Sequence, residues 1–391
     1  MKAKPRGATA KKKAAPAKRP PTATAGQPQT ARKRINVALQ GGGAHGAFSW
    51  GVLDAILADE RLEIEAISGT SAGAMSAVVV AEGLAAGGRE QAREKLERFW
   101  HAVSRQALFG VIQRTPLDIL RSNWSLDSNP LFLTWDMAMR VVSPYQLNPL
   151  NINPLRRILE EEVDFARVHT CATMQLFISA TNVHSGQVRI FTGDEVTLEA
   201  VLASACLPEL FQAVEIDGEP YWDGGFMGNP VLFPFVKHCH APDVLIVQVN
   251  PIRRAATPTT AREIHNRVSE IAANSSLVHE LLRVELVNRG LERGDFKGRG
   301  YRPIFLHRVG GGGELAELSA SSKLNPEWLF LTHLRDLGRQ AATAWLEQSF
   351  DRIGRESTLV LDSVNDPKGG PAAAPESPKE KRKRGAKTAA R

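Results

Sequence analysis

Two glycine-rich turns, each preceded by a short apolar run, constrain this chain more than any other feature. Gly41-Gly42-Gly43-Ala44-His45-Gly46 follows Ile35-Asn36-Val37-Ala38-Leu39, and Gly69-Thr70-Ser71-Ala72-Gly73 follows Ile64-Glu65-Ala66-Ile67. Each reads as a strand running into a tight turn that opens a helix. A Gly-x-Ser-x-Gly turn in that setting is a nucleophile elbow: small residues flank the serine because the strained backbone leaves no room for side chains. Ser71 would then stand at a helix N-terminus, where developing negative charge is favoured. The bare amides of Gly41, Gly42 and Gly43 would complement it as an oxyanion hole. The first turn could instead hold a nucleotide phosphate. Against that, the spacing is not Gly-x-Gly-x-x-Gly, no Gly-Lys-Ser/Thr follows, and no acidic residue ends the second strand to hold a ribose.

A serine nucleophile needs a base. Asp223, after Tyr221-Trp222 and before Gly224-Gly225, would be partly desolvated by the aromatic pair, which raises its proton affinity, while the glycines let another backbone approach. An Asp-Gly pair is also an ordinary turn signal. None of the ten histidines follows in a convincing Asp/Glu…His order, His307 and His333 included. His45 lies in the glycine turn itself and reads as structural or substrate-facing.

With these residues in place the sequence resembles the patatin-like phospholipases. The glycine turn Gly41 to Gly46, the elbow Gly69 to Gly73 around Ser71, and Asp223-Gly224-Gly225 match that family's motifs in order, and Ala203 to Phe211 is similar to its segment ahead of the aspartate. The resemblance runs from Ile35 to about Val249, with Arg262 to Leu361 looking like the C-terminal extension of one bacterial subgroup. It implies a lipid acyl hydrolase with a Ser71–Asp223 dyad, an oxyanion hole from Gly41, Gly42, Gly43 and Gly46, an acyl-enzyme intermediate and no cofactor or metal. The family often carries an arginine in the oxyanion turn where this chain has His45. A histidine there would be charged only near or below its usual pKa of about 6.5.

Composition sets the remaining bounds. Residues 1–34 carry seven lysines, four arginines and no acid, a charge of +11, and residues 363–391 carry +5. Removing both from the total of +7 leaves −9 for residues 35–362. These two Ala/Lys/Pro-rich ends are expected to be disordered basic tails, since they hold too little apolar surface to offset the entropy of ordering. Dispersed lysines would attract an anionic membrane, the surface of a storage granule or nucleic acid, or serve only to solubilise. Cys171, Cys206 and Cys239 form no Cys-x-x-Cys pair, and His238-Cys239-His240 lacks further ligands for zinc, so no metal site is expected; unpaired cysteines fit a reducing compartment. The basic N-terminus has no apolar h-region, and Ala72 to Ala86 is interrupted by Ser76, Glu82 and glycines. The expectation is a cytoplasmic protein touching membranes peripherally, with a second class, a non-catalytic surface-binding protein, also open.

Strands at Ile35–Leu39, Ile64–Ile67, Val244–Val249 and Arg302–Val309 alternate with helical patterns at 72–86, 89–104, 262–287 and 326–350. This predicts an α/β chain, three layers α/β/α around a mainly parallel sheet. The catalytic domain is placed at 35–250, with a packed extension at 251–362. Between elbow and aspartate, Leu108 to Pro154 is apolar and irregular, with Trp124, Phe132 and Trp135. It reads as a helical cap packed on the sheet or as a lid and acyl-pocket wall.

Overall fold

The computed structural model describes Met1 and residues 32–105, 113–254, 256–296, 300–310 and 312–359. The segments read as basic tails lie outside the described residues except for Met1 and residues 32–34, and so do Leu108 to Ile112 of the cap. Strand β1 (Lys33–Leu39) begins two residues ahead of the expected domain boundary, because Lys33 pairs with Leu62 and its Nζ donates to the Phe350 and Ile353 carbonyls.

The chain continues through α1 (Gly46–Ala58), β2 (Leu62–Gly69), α2 (Ala72–Gly87) and α3 (Arg89–Arg105). Short helices follow, α4 (Pro116–Leu120), α5 (Pro130–Met139), α6 (Pro144–Leu147), α7 (Pro154–Glu162) and α8 (Phe165–His169). Four of them open with proline after a Thr, Asn or Ser cap, the arrangement in which proline suits a helix start because its missing N–H would have no partner anyway. Then come β3 (Gln175–Asn182), β4 (Val188–Phe191), α9 (Leu198–Ser204), β5 (Val214–Ile216), β6 (Glu219–Asp223), α10 (Phe233–His238) and β7 (Asp243–Gln248). The extension adds α11 (Ala261–Arg293), β8 (Phe305–Gly310), α12 (Glu314–Glu317) and α13 (Trp328–Ser349).

One sheet runs in the order β5-β6-β3-β2-β1-β7-β8, with β4 also on β3. Strands β3, β2, β1, β7 and β8 are parallel, and β6, β5 and β4 add antiparallel pairings at the β3 side. The first two turns therefore leave neighbouring parallel strands at the same end of the sheet, where ligand sites of open α/β folds form. Strand β8 starts three residues later than the hydropathy pattern suggests because Pro303 has no N–H to enter a ladder; Phe305 makes the first bond, to the Pro242 carbonyl. Helix α11 runs past the expected Val287 to Arg293. A Thr260–Glu263 capping box starts it, and Gly294, at φ 83°, ends it in the left-handed conformation that glycine adopts without strain.

Helices α1, α2, α9 and α13 pack one face of the sheet, and α10 with Leu277, Leu281 and Val284 of α11 packs the other. The expected three layers are present. Helix α1 is buried on nearly every side, so its neighbours must come close: a Cβ at Gly338 of α13 would collide with the Phe48 carbonyl. Its one buried carboxylate, Asp54, is neutralised by Arg93 at 3.0 Å and Arg339 at 2.7 Å, which ties α1 to α3 and α13. Among the described residues no helix is long and apolar enough to cross a membrane.

The glycine crossing makes a stability prediction. Gly338→Val should cost about 2 kcal/mol or more by overpacking, read as a lowered urea midpoint at unchanged m. Gly312→Ala, where a Cβ meets open space, should stay within about 0.5 kcal/mol of the parent.

Candidate active site

Strand β2 delivers Ser71 at φ 55° and ψ −122°, a positive φ that a side-chain-bearing residue adopts only under strain. The surroundings hold it there. A Cβ on Gly73 would sit 2.6 Å from the Leu39 carbonyl, and one on Gly69 would sit 2.6 Å from the Gly73 carbonyl. The Ser71 amide donates to Ser204 Oγ at 2.9 Å, at the end of α9. Thr70 Oγ1 donates to the Gly228 carbonyl at 2.6 Å, so the elbow is tied directly to the loop that follows Asp223.

Asp223 ends β6 across from Ala180 of β3, with its amide on the Cys206 carbonyl at 2.8 Å and its own carbonyl accepting from Thr181 Oγ1 at 2.9 Å. The side chain is buried, 4% exposed. Burial pushes its pKa up from 3.8 to about 6; hydrogen bonds from the Gly225 amide and the Ser71 side chain pull the other way, and the charge of Glu209 adds to the rise. The Gly225 contact measures 2.7 Å. Gly224 lies against the Ser179 backbone so closely that no side chain fits.

The four glycines read as oxyanion donors divide. The Gly41 amide donates to Asn229 Oδ1 at 2.7 Å, and the Gly46 amide closes a helical turn onto the Gly43 and Ala44 carbonyls. Neither is open to a ligand, which corrects the expectation for both. Their part is clearance: a Cβ at Gly41 would lie 2.7 Å from that of Ser71, and one at Gly46 equally close to that of Ala72. The Gly42 and Gly43 amides donate to nothing among the described residues and line the cavity beside Ser71.

For His45 the first of the two readings, structural, fits its surroundings. It is 3% exposed and does not line the cavity; its Nε2 meets Ser322 Oγ at 2.8 Å and its ring meets Phe330 edge-on. Burial, then Lys323 and Arg254, hold its pKa well below 6.5, so it is a neutral structural residue and not a substrate-facing one. The cation near the turn is Lys323, which no local sequence pattern singles out. Asn229, Ser204 and Asn250 also escaped notice, although Ser204 lies in the segment Ala203 to Phe211 that drew attention for its small residues.

Ser71 and Asp223 open on a cavity of about 580 Å³. Met75, Phe99, Trp100, Phe132, Trp135 and Phe211 give it an apolar wall. Both readings of the cap therefore hold for different residues: Leu126 is buried in packing, whereas Phe132, Trp135 and Met139 face the cavity. Leu120, Val141 and Leu150 stand more than four-fifths exposed on its outside. His238, Cys239 and His240 are not gathered: His238 stacks on Phe177 and His240 pairs with Glu65. Among the described residues no group of three or more His, Cys, Asp or Glu side chains could hold a metal ion.

Fold and site together define a three-layer α/β/α protein in which an elbow serine faces a buried carboxylate over an apolar cavity. A family model, the patatin-like phospholipases, matches residues 37–236, just over half of the chain, and the chain belongs to that family. Membership places it among lipid acyl hydrolases in general. No curated protein matches the sequence. Among solved structures it is similar to VipD from Legionella pneumophila, with 14% identity and a TM-score of 0.38 over 81% of this chain and 67% of that one. It is also similar to the type III effector ExoU, at 14% identity and TM-score 0.30 over 81% of this chain and 54% of that one. Full-length ExoU with SpcU from Pseudomonas aeruginosa gives 15% identity and TM-score 0.30 over 82% and 53%. The chain thus spans about half the length of ExoU.

The raised pKa of Asp223 has a sign that can be tested by stability. The native state keeps the proton up to pH about 6 and the unfolded state only to about 3.8, so stability is lost as pH rises between them. Asp223→Asn should stabilise the fold by about 2 kcal/mol at pH 8 and by nothing at pH 3.5, measured by urea unfolding at both pH values.

Proposed function

We propose that the protein is a serine carboxylic-ester hydrolase that removes acyl chains from phospholipids or lysophospholipids through a Ser71–Asp223 dyad. The observation that carries this reading is the strained elbow serine Ser71 and the desolvated carboxylate of Asp223 lining the same apolar cavity. A carboxylate whose pKa approaches neutrality is a competent base for a hydroxyl.

In the first half-reaction the Asp223 carboxylate takes the Ser71 proton as Oγ bonds to the ester carbonyl carbon. The carbonyl electrons move to oxygen, and the Gly42 and Gly43 amides hold that oxyanion. Collapse breaks the bond to the alcohol, which leaves with the proton from Asp223, and Ser71 retains the acyl group. Water then gives a proton to Asp223 and attacks the acyl carbon. Ser71 leaves with that proton, and the fatty acid departs into the apolar part of the cavity. Ala72, the residue after the nucleophile, lines the same cavity with its amide at the start of α2, and it supports a third donor there.

The basic tails add attraction to an anionic membrane or granule surface in this reading, so hydrolysis should be faster on anionic than on neutral vesicles and the difference should shrink with salt.

Labelling by a fluorophosphonate probe and fatty-acid release from mixed anionic liposomes test the chemistry together. Ser71→Ala should abolish both, and Asp223→Asn should lower both by at least about 100-fold. The wild-type rate should climb as pH rises through about 6, as Asp223 ionises, and then level. A wild type that binds liposomes but neither labels nor hydrolyses would replace this reading with a surface-docking one.

A further inference from the structure

The extension contributes to the cavity one basic side chain that has no ion-pair partner among the described residues. Lys323 lies in the 3-10 helix Ala320–Leu324, outside the segment matched by the family model. This turn is pressed onto the glycine turn: a Cβ at Gly43 would collide with the Lys323 carbonyl, and the neighbouring Ser322 holds His45. Lys323 Nζ donates to Asn250 Oδ1 at 2.7 Å, and Asn250 Nδ2 in turn donates to the Gly41 carbonyl at 2.8 Å. The ammonium is thereby fixed one side chain away from the amides beside Ser71.

An ammonium carries three donors, and Asn250 uses one. The other cations in the cavity wall are matched, Arg140 with Asp136 at 3.0 Å and Arg262 with Asp127 at 3.1 Å. Glu270, the acid whose field reaches Lys323, already takes Arg254 at 2.5 Å and Arg267 at 3.1 Å. Among the described residues Lys323 has no carboxylate within ion-pair distance. A cation this poorly matched in a largely desolvated wall gains most from an anion that arrives with a ligand. Asn266 lines the same cavity, and its side-chain amide can donate to a further anionic oxygen.

We propose that Lys323 is the anion-binding residue of this cavity, and that it holds the phosphate of a lipid whose acyl carbonyl lies at Ser71. The proposal rests on the hydrolase reading above and adds to it the residue that separates phosphate-bearing lipid esters from uncharged ones. It also accounts for the neutral His45: the positive charge beside the glycine turn comes from the extension and not from the turn itself.

Binding without turnover tests the proposal separately from the chemistry. Calorimetry of the full-length chain with monooctyl phosphate, octyl glucoside and inorganic phosphate, each below its micelle concentration where it forms one, supplies the three arms. Lys323→Met, which keeps the stem, should weaken monooctyl phosphate by about tenfold or more and change octyl glucoside by less than about threefold; Lys323→Arg should retain most of the phosphate affinity. The ratio of kcat/KM for lysophosphatidate over monoacylglycerol should fall in Lys323→Met by a similar factor. Equal losses on charged and uncharged ligands, or no loss on either, would overturn the assignment. Inorganic phosphate binding as tightly as monooctyl phosphate would replace the lipid with a free anion. Failure of the wild type to label or hydrolyse would overturn the hydrolase reading while the calorimetry still decides the role of Lys323.

Discussion

The site depends on one buried amide side chain. Gln40, between β1 and the glycine turn, donates through Nε2 to the Asn229 carbonyl and to Asn274 Oδ1, and accepts through Oε1 from the Val249 and Asn250 amides. Four segments far apart in the chain meet on it: the turn, the loop after Asp223, the end of β7 and helix α11. Such a network adds specificity because every member is satisfied only in one arrangement, and leaving one unpaired in a dry interior costs more than the bond contributes. Asn229 carries the same constraint onward by accepting from the Gly41 amide. The turn beside Ser71 is therefore held in place from outside, which lets Gly42 and Gly43 keep their amides unused.

The strain at Ser71 and the desolvation of Asp223 are two expressions of this rigidity. Neither a positive φ on a serine nor a carboxylate driven to a pKa of about 6 would persist in a yielding environment; the backbone would relax or water would enter. Contacts through Ser204, Thr70 and Cys206 hold both residues at the junction of sheet and loops. Stability is spent where the proposed chemistry needs a poised proton acceptor.

The sheet, its parallel strands and the two turns were legible because apolar runs ending in glycine leave few alternatives. The placement of Ser71 on a turn after β2 and of Asp223 at the end of β6 was legible for the same reason, each sitting in a short pattern with a steric purpose. What did not show was everything that acts through distance in sequence. Gln40, Asn229 and Lys323 are ordinary polar residues in no local pattern, and their roles arise only when strands order themselves β3-β2-β1-β7-β8 and bring residues 40, 229 and 323 together. Spacing could not reveal that the amides of Gly41 and Gly46 are already taken, since a run of glycines advertises freedom equally at every position. The address of His45 left two readings open, and the histidine faces inward because the extension covers it.

That covering has a consequence for where this protein begins and ends as a folding unit. Helix α1 has no polar face to turn to water, and the side it cannot bury against the sheet is closed by α13, where Gly338 meets Phe48 from far along the chain. Strand β8 likewise shields the outer edge of β7. The stretch that carries the family's motifs is thus an incomplete solid: severed near residue 250, it would present an apolar helix and an open strand edge to solvent, and neighbouring copies would be the nearest surfaces able to cover them.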